Sequence, residues 1–221
     1  MNDGGMEQHE APGDPPVAER VISDVESLKA LSDPVRLRIL ETMVTAADEA
    51  WTVKRLAAAL GVGPTKLYHH VGILEDHGFI RLAGTRVVSG IIEKRYRITQ
   101  LSIRLDRSLL RGAGGADSPV RDVLGVIFDS VRDDIEAALG SGLVEADEAD
   151  PLRELVIRGL ARLSPERAAE LRERLRALIA EFDTDTRDAA PEDRPFGYLL
   201  ALYPFPAPAA EPGDAPEATD G

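Results

Sequence analysis

Residues 52–78 read TVKRLAAALGVGPTKLYHHVGILEDHG, and the fold expectation is built outward from them. Thr52 is a good N-cap, and Leu56, Ala57 and Leu60 follow it at helical spacing. Gly61-Val62-Gly63 is a turn with two conformationally permissive residues, which ends that helix. Pro64 then stands where a first helical residue has no use for its N–H. Leu67, Val71 and Leu74 recur at i, i+4 and i+7, so the second helix has one apolar face. Gly78 closes it as a C′ residue. Two helices around a short glycine turn make a helix-turn-helix pattern.

Upstream, Asp33-Pro34 marks another helix start, Asp as N-cap and Pro at the first position. Leu37, Leu40 and Val44 form its stripe, widened by Ile39 and Met43. Val21, Val25 and Leu28 place an earlier helix over 21–31. Ala46 to Ala50 is a loop, and Trp51, just before an N-cap, is a packing anchor. Downstream the period changes from helical to alternating. Phe79–Ala83 is a short strand, 84–90 (GTRVVSG) a loop, and Ile92–Ile98 a second strand with Ile92, Tyr96 and Ile98 on one face. A hairpin directly after the second helix is the wing of a winged helix. It holds Arg81, Arg86, Lys94, Arg95 and Arg97 against one acid, Glu93. Such a hairpin can lie along a nucleic-acid backbone or reach into the minor groove.

The partner this arrangement implies is double-stranded DNA, with the second helix in the major groove. Leu67, His70, Val71 and Leu74 must pack inward, which leaves Thr65, Lys66, Tyr68, His69 and Gly72 outward. Base contacts come mainly from the N-terminal part of such a helix, so Thr65, Lys66, Tyr68 and His69 are the candidates. Lys66 can donate to guanine or phosphate, and Thr65 can bond phosphate or touch a thymine methyl. Tyr68 and His69 can serve either a phosphate or a base edge. In the wing the candidates are Arg81, Arg86, Lys94 and Arg95. His69, His70 and His77 have no metal-ligand spacing: two are adjacent and the third lies two helical turns from His70. No metal site is expected, nor any cofactor.

LSDPVRLRIL at 31–40, the Tyr68-His69-His70 run followed by Leu74-Glu75 and Gly78, and Gly90, Glu93 and Tyr96 in the wing together resemble the ArsR-type winged-helix transcriptional regulators. The resemblance covers about residues 25–100, with Ser89 standing where Arg often precedes the wing glycine. It implies a homodimer on a palindromic operator, usually acting as a repressor. The best-known members of that family sense metals through cysteine ligands, and the chain has no cysteine. That chemistry is not carried over.

The formal charge of −13 over 221 residues is unevenly spread. Residues 1–19 hold five acids and no Lys or Arg. Residues 20–111 hold 15 Lys+Arg and 10 Asp+Glu, and 112–221 hold 11 Lys+Arg and 24 Asp+Glu. Phosphate contacts need local cations, and these surround the helix-turn-helix. No apolar run reaches the eighteen residues of a membrane span, and the acidic opening is no signal peptide. A cytoplasmic protein without membrane association is expected.

The expected fold class is α+β and mostly helical. It comprises a disordered stretch (1–19), a winged helix-turn-helix domain (20–111), a dimerisation helix (119–140), a mixed C-terminal region (150–205) and a disordered tail (206–221). Gln100–Arg111 is expected as a helix, from Leu101, Leu105 and Leu109. Residues 112–115 are a linker. The 119–139 helix carries a broad stripe from Val120 to Leu139, which serves dimerisation, packs on its own C-terminal region, or both. Beyond an acidic loop at 140–151, the C-terminal region reads strand–helix–strand. Residues 152–163, which read as either strand or helix and are taken as strand because the next element has a strong start of its own, come first, then a helix from Pro165 to Phe182 with Leu171, Leu175, Leu178, Ile179 and Phe182 on a core. After a polar loop at 183–195, Phe196–Tyr203 is a buried strand. This half is larger than dimerisation needs, which makes it the place for a small-molecule effector or protein partner. The competing function is a winged helix that binds protein and not DNA. The 11 Lys+Arg against 4 Asp+Glu in 51–111 favour DNA. No phosphate loop, cysteine or recognised nucleophile setting marks an enzyme.

Overall fold

The computed structural model describes residues 14–88, 90–111, 118–141, 159–188 and 195–204. In chain order it contains β1 (Val17–Ile22), α1 (Val25–Leu31), α2 (Pro34–Val44), β2 (Trp51–Thr52), α3 (Val53–Leu60) and α4 (Pro64–Asp76). β3 (Ile80–Val88), β4 (Ile91–Ile98), β5 (Gln100–Leu105), α5 (Arg107–Leu110), α6 (Pro119–Gly140) and α7 (Pro165–Asp188) follow. The class is α+β, with a helix-turn-helix near the N-terminus. Among the described residues no helix is long and apolar enough to cross a membrane.

The helix boundaries follow from their caps. Thr52 accepts from the Arg55 amide at 3.1 Å, and Gly61 leaves α3 with φ 65°, the left-handed turn that favours glycine. Pro64 opens α4 and Gly78, φ 67°, closes it. Asp33 caps α2 by accepting from the Val35 and Arg36 amides at 2.9 and 3.1 Å. The core is one cluster: Ile39, Leu40 and Met43 of α2, Leu56 of α3, Leu67, Val71 and Leu74 of α4, and Phe79, Ile80, Tyr96 and Ile98 beyond. Trp51 is buried within it, with the Arg55 guanidinium 3.8 Å over its ring.

Two small sheets flank these helices. One has the order β2-β4-β3, antiparallel throughout, with Trp51 opposite Tyr96 and Ile80 opposite Ile98. The other pairs β1 with β5 in parallel, Val17 opposite Gln100 and Ile22 opposite Leu105. The β1–β5 pair overturns two expectations. Residues 17–22 are strand where the helix 21–31 was to begin, and strand starts inside the stretch expected to be disordered. Asp24 accepts from the Ser27 amide at 2.7 Å and sets the true start of α1. Residues 100–105 are strand, with only a short α5 after them. Leu101, Ile103 and Leu105 alternate as well as they repeat at i+4, and pairing with β1 decides between the two periods. The wing is also longer than expected, because 84–88, read as loop, continue β3 past a bulge between Leu82 and Gly84.

α6 packs on α1 and α2. Val120 and Val123 are buried at its start. Farther along, Ser130 Oγ donates to Glu41 of α2 at 3.1 Å, and Arg38 pairs with Asp134. Phe128 and Leu139 stay exposed.

The C-terminal expectations fare less well. α7 runs on through 183–188, where a loop was expected, and Leu171, Leu178 and Phe182 face solvent and not a core. Phe196–Tyr203 is neither strand nor buried, Phe196 being 60% and Tyr203 61% exposed. An apolar run forms a strand only when a sheet edge meets it, and among the described residues both sheets are made of other strands. Of the 152–163 strand, residues 152–158 lie outside the described residues and 159–163 have no regular structure. The linker 112–115 and the tail 206–221 also lie outside them.

Two outcomes test this packing. Asp33→Ala removes the α2 cap and should cost about 1 kcal/mol in a denaturant melt. Burial, outweighing the opposing Ser130 hydrogen bond and Arg38, raises the Glu41 carboxyl above its usual 4.5. The folded chain then holds that proton to higher pH than the unfolded one, so stability falls as pH rises past the unfolded value. Glu41→Gln, which keeps an acceptor for Ser130, should raise the denaturation midpoint at neutral pH, and the gain should fade towards about pH 4.

Candidate nucleic-acid interface

Because Leu67, Val71 and Leu74 are buried, the opposite side of α4 must face out. Thr65, Lys66, Tyr68 and His69 are all exposed there, Tyr68 at 59%. They sit in the first half of a thirteen-residue helix, the half that reaches base edges when such a helix enters a major groove. His70 is turned inward, its Nδ1 3.4 Å from Asp33 Oδ1, and its ring meets His69 edge-on with centroids 5.8 Å apart. His77 lends its carbonyl to Arg20 Nη2 at 2.7 Å. Among the described residues no group of three or more His, Cys, Asp or Glu side chains is placed to hold a metal ion.

The C-terminal end of α4 is tied down by the β1–β5 side of the molecule. The last carbonyls of a helix have no partner within it. Here Arg20 takes that of His77, Thr99 Oγ1 donates to that of Gly78 at 2.8 Å, and the buried Gln100 Nε2 donates to that of Phe79 at 3.2 Å. The Arg20 guanidinium also lies 4.2 Å over the Phe79 ring. Three polar side chains thus fix the angle at which α4 leaves the core and the wing begins.

Register divides the wing cations between two faces. Tyr96 and Ile98 of β4 point to the core, so Lys94 shares their side, opposite Thr85. Lys94 Nζ lies 3.8 Å from Glu75 Oε2 on α4, which brings it beside the exposed helix face. Glu75 is also hydrogen-bonded to the Tyr96 hydroxyl, and burial first, then this carboxylate, pushes that phenol up to about 12. Tyr96 therefore stays protonated at neutral pH and donates. Arg81, Arg86 and Arg95 occupy the other face. Arg86 Nε bonds Glu93 Oε2 at 2.7 Å directly across the ladder. Arg81 Nη2 donates to the Asp14 carbonyl at the base of the hairpin.

Thr65, Lys66, Tyr68 and His69 thus share one exposed face of α4, Lys94 reaches Glu75 near the C-terminal end of that helix, Arg86 and Arg95 lie on the outer wing face, and Arg81 is drawn towards the N-terminal segment. Sequence reading missed Glu75 and Glu93, the two carboxylates that hold Lys94 and Arg86. Glu93 was readable: a turn placed at the Ser89-Gly90 dipeptide sets it opposite Arg86. Glu75 was not, because its contact joins a helix to a strand nineteen residues on.

No curated protein matches the chain in sequence. Residues 31–83, from the last residue of α1 into β3, match the family described as a helix-turn-helix domain. That stretch holds both helices of the 52–78 pattern together with α2, and it points to DNA binding in transcription regulation.

Proposed function

We propose that the chain is a sequence-specific DNA-binding transcription regulator of the ArsR type, a homodimeric, cytoplasmic repressor without catalytic activity. α4 enters the major groove, and the wing lies on the backbone or in the minor groove. The observation that carries this reading is the exposed row Thr65, Lys66, Tyr68 and His69 on α4, with Lys94 of a basic wing reaching Glu75 farther along the same helix. The positive balance of residues 51–111 within an acidic chain supports DNA over a protein ligand. The exposed apolar residues of α6, Phe128 and Leu139, suit a second copy of the chain, whose α4 would meet the next major groove about 34 Å away. α7 and the exposed 196–203 segment, unneeded for the winged helix, are the region offered to a small-molecule effector or protein partner.

Selection from a random duplex pool with the full-length protein should recover an inverted repeat with half-sites one helical turn apart. Recovery of no sequence would count against the reading. On the recovered site Lys66→Ala should weaken binding about tenfold or more, as for a lost base or phosphate contact. Arg86 and Glu93 should respond in opposite directions. Arg86→Ala should lower both affinity and the salt slope, by about one unit for one phosphate contact, while Glu93→Gln should release Arg86 and tighten binding. Equal affinities for both variants in a salt titration would remove Arg86 from the interface.

A further inference from the structure

The far end of the wing is apolar on both of its faces. Val87 pairs with Ile92 and Val88 with Ile91, and adjacent residues of a strand alternate sides. All four are exposed, Val87 at 62%, Ile91 at 67% and Ile92 at 70%. A hairpin resting on phosphates along one side would keep its other side polar for water, as antiparallel sheets with one solvated face do. An unprotected β-branched tip is also a hazard for edge-to-edge association. Such a tip is stable in use only when something surrounds it.

The geometry points to a hydrophobic wedge: Val87, Val88, Ile91 and Ile92 enter the minor groove of the bound duplex, force it open and kink the DNA towards its major groove. This rests on the DNA-binding reading above. The occupant is set by charge. Arg86 and Lys94 stand one and two residues behind the tip on opposite faces, placed for the phosphates on the two groove walls. The acid of the hairpin, Glu93, is bonded to Arg86 and its side chain is only 13% exposed, and Glu75, the carboxylate 3.8 Å from Lys94, stands back on α4. Groove walls also offer the apolar C–H edges of deoxyribose.

Size decides for a wedge over a passive fit. Two strands are about 4.8 Å apart, and apolar side chains standing on both faces bring the tip to roughly the 10 Å thickness of a packed sheet layer. The minor groove of B-DNA is about 6 Å wide. The tip enters only a groove that has opened, and opening by inserted apolar side chains unstacks a base step and bends the duplex by roughly 20–90°. The cost is least at pyrimidine–purine steps and greatest in stiff A-tracts, so the wing selects sequence without a base hydrogen bond.

The test uses full-length protein and a duplex recovered by selection. The duplex carries end-to-end fluorophores for bending and 2-aminopurine at the step the wing covers. The wild type should shorten the end-to-end distance and raise the 2-aminopurine signal, and recovered sites should carry a pyrimidine–purine step there. The double variant Ile91→Thr, Ile92→Thr keeps β-branched side chains at exposed positions. It should still bind, several-fold more weakly and with the same salt slope, but with both signals lost. A wild type that binds a straight, fully stacked duplex would overturn the wedge and leave the DNA-binding reading standing. So would a double variant that bends DNA like the wild type. Concentration-dependent self-association of the free protein that the double variant abolishes, with bending unchanged, would assign the tip to a second copy and overturn the wedge. If no duplex is bound at all, wedge and DNA-binding reading fall together.

Discussion

The whole arrangement depends on one burial event, the packing of Leu67, Val71 and Leu74 of α4 against α2 and α3. Each of these side chains is worth about 1.5–3 kcal/mol when taken out of water, so the three fix the rotation of α4 about its own axis. With rotation fixed, the outward row is no longer free to vary: Thr65, Lys66, Tyr68 and His69 face away from the core because the apolar three face into it. Specific chemistry is displayed on one side because nonspecific burial has claimed the other.

A second layer of constraint is polar. The carbonyls of His77, Gly78 and Phe79 come at the point where helical hydrogen bonding stops, and Arg20, Thr99 and Gln100 answer them one by one. These donors come from β1 and from the β4–β5 junction, so the small parallel sheet is what joins the helix to its wing. Glu75 then ties Lys94 and Tyr96 to α4 from the other side. Helix and wing are thus tied to each other from both sides.

The helix-turn-helix was legible because its signals are local. Thr52, Gly61, Pro64 and Gly78 each state a backbone requirement within one or two residues of themselves, and all four stand where the structure uses them. The outward position of the α4 row followed from the same spacing. What misled was any segment whose state is decided at a distance. Residues 17–22 and 100–105 are strands only because each has the other; alone, Leu101, Leu105 and Leu109 spell a helix as well as a strand. Phe196–Tyr203 failed in the opposite sense, having the composition of a buried strand but pairing with none of the described strands and staying exposed. Carboxylate pairing in the wing lay between these cases, open to counting for Glu93 and closed for Glu75.

The parallel pairing of β1 with β5 also sets an order in time. Glu19 meets Arg104 across a separation of 85 residues, and between them lie every helix of the helix-turn-helix and the whole wing. During synthesis the first strand leaves the ribosome with no partner and stays unpaired until the last one emerges. α2, α3 and α4 can gather around their local contacts well before that, but the donors of Thr99 and Gln100 reach the end of α4 only then. A chain stopped short of residue 100 therefore holds a helix pair without its brace, and the exposed face of α4 acquires its final setting as one of the last events of the domain's folding.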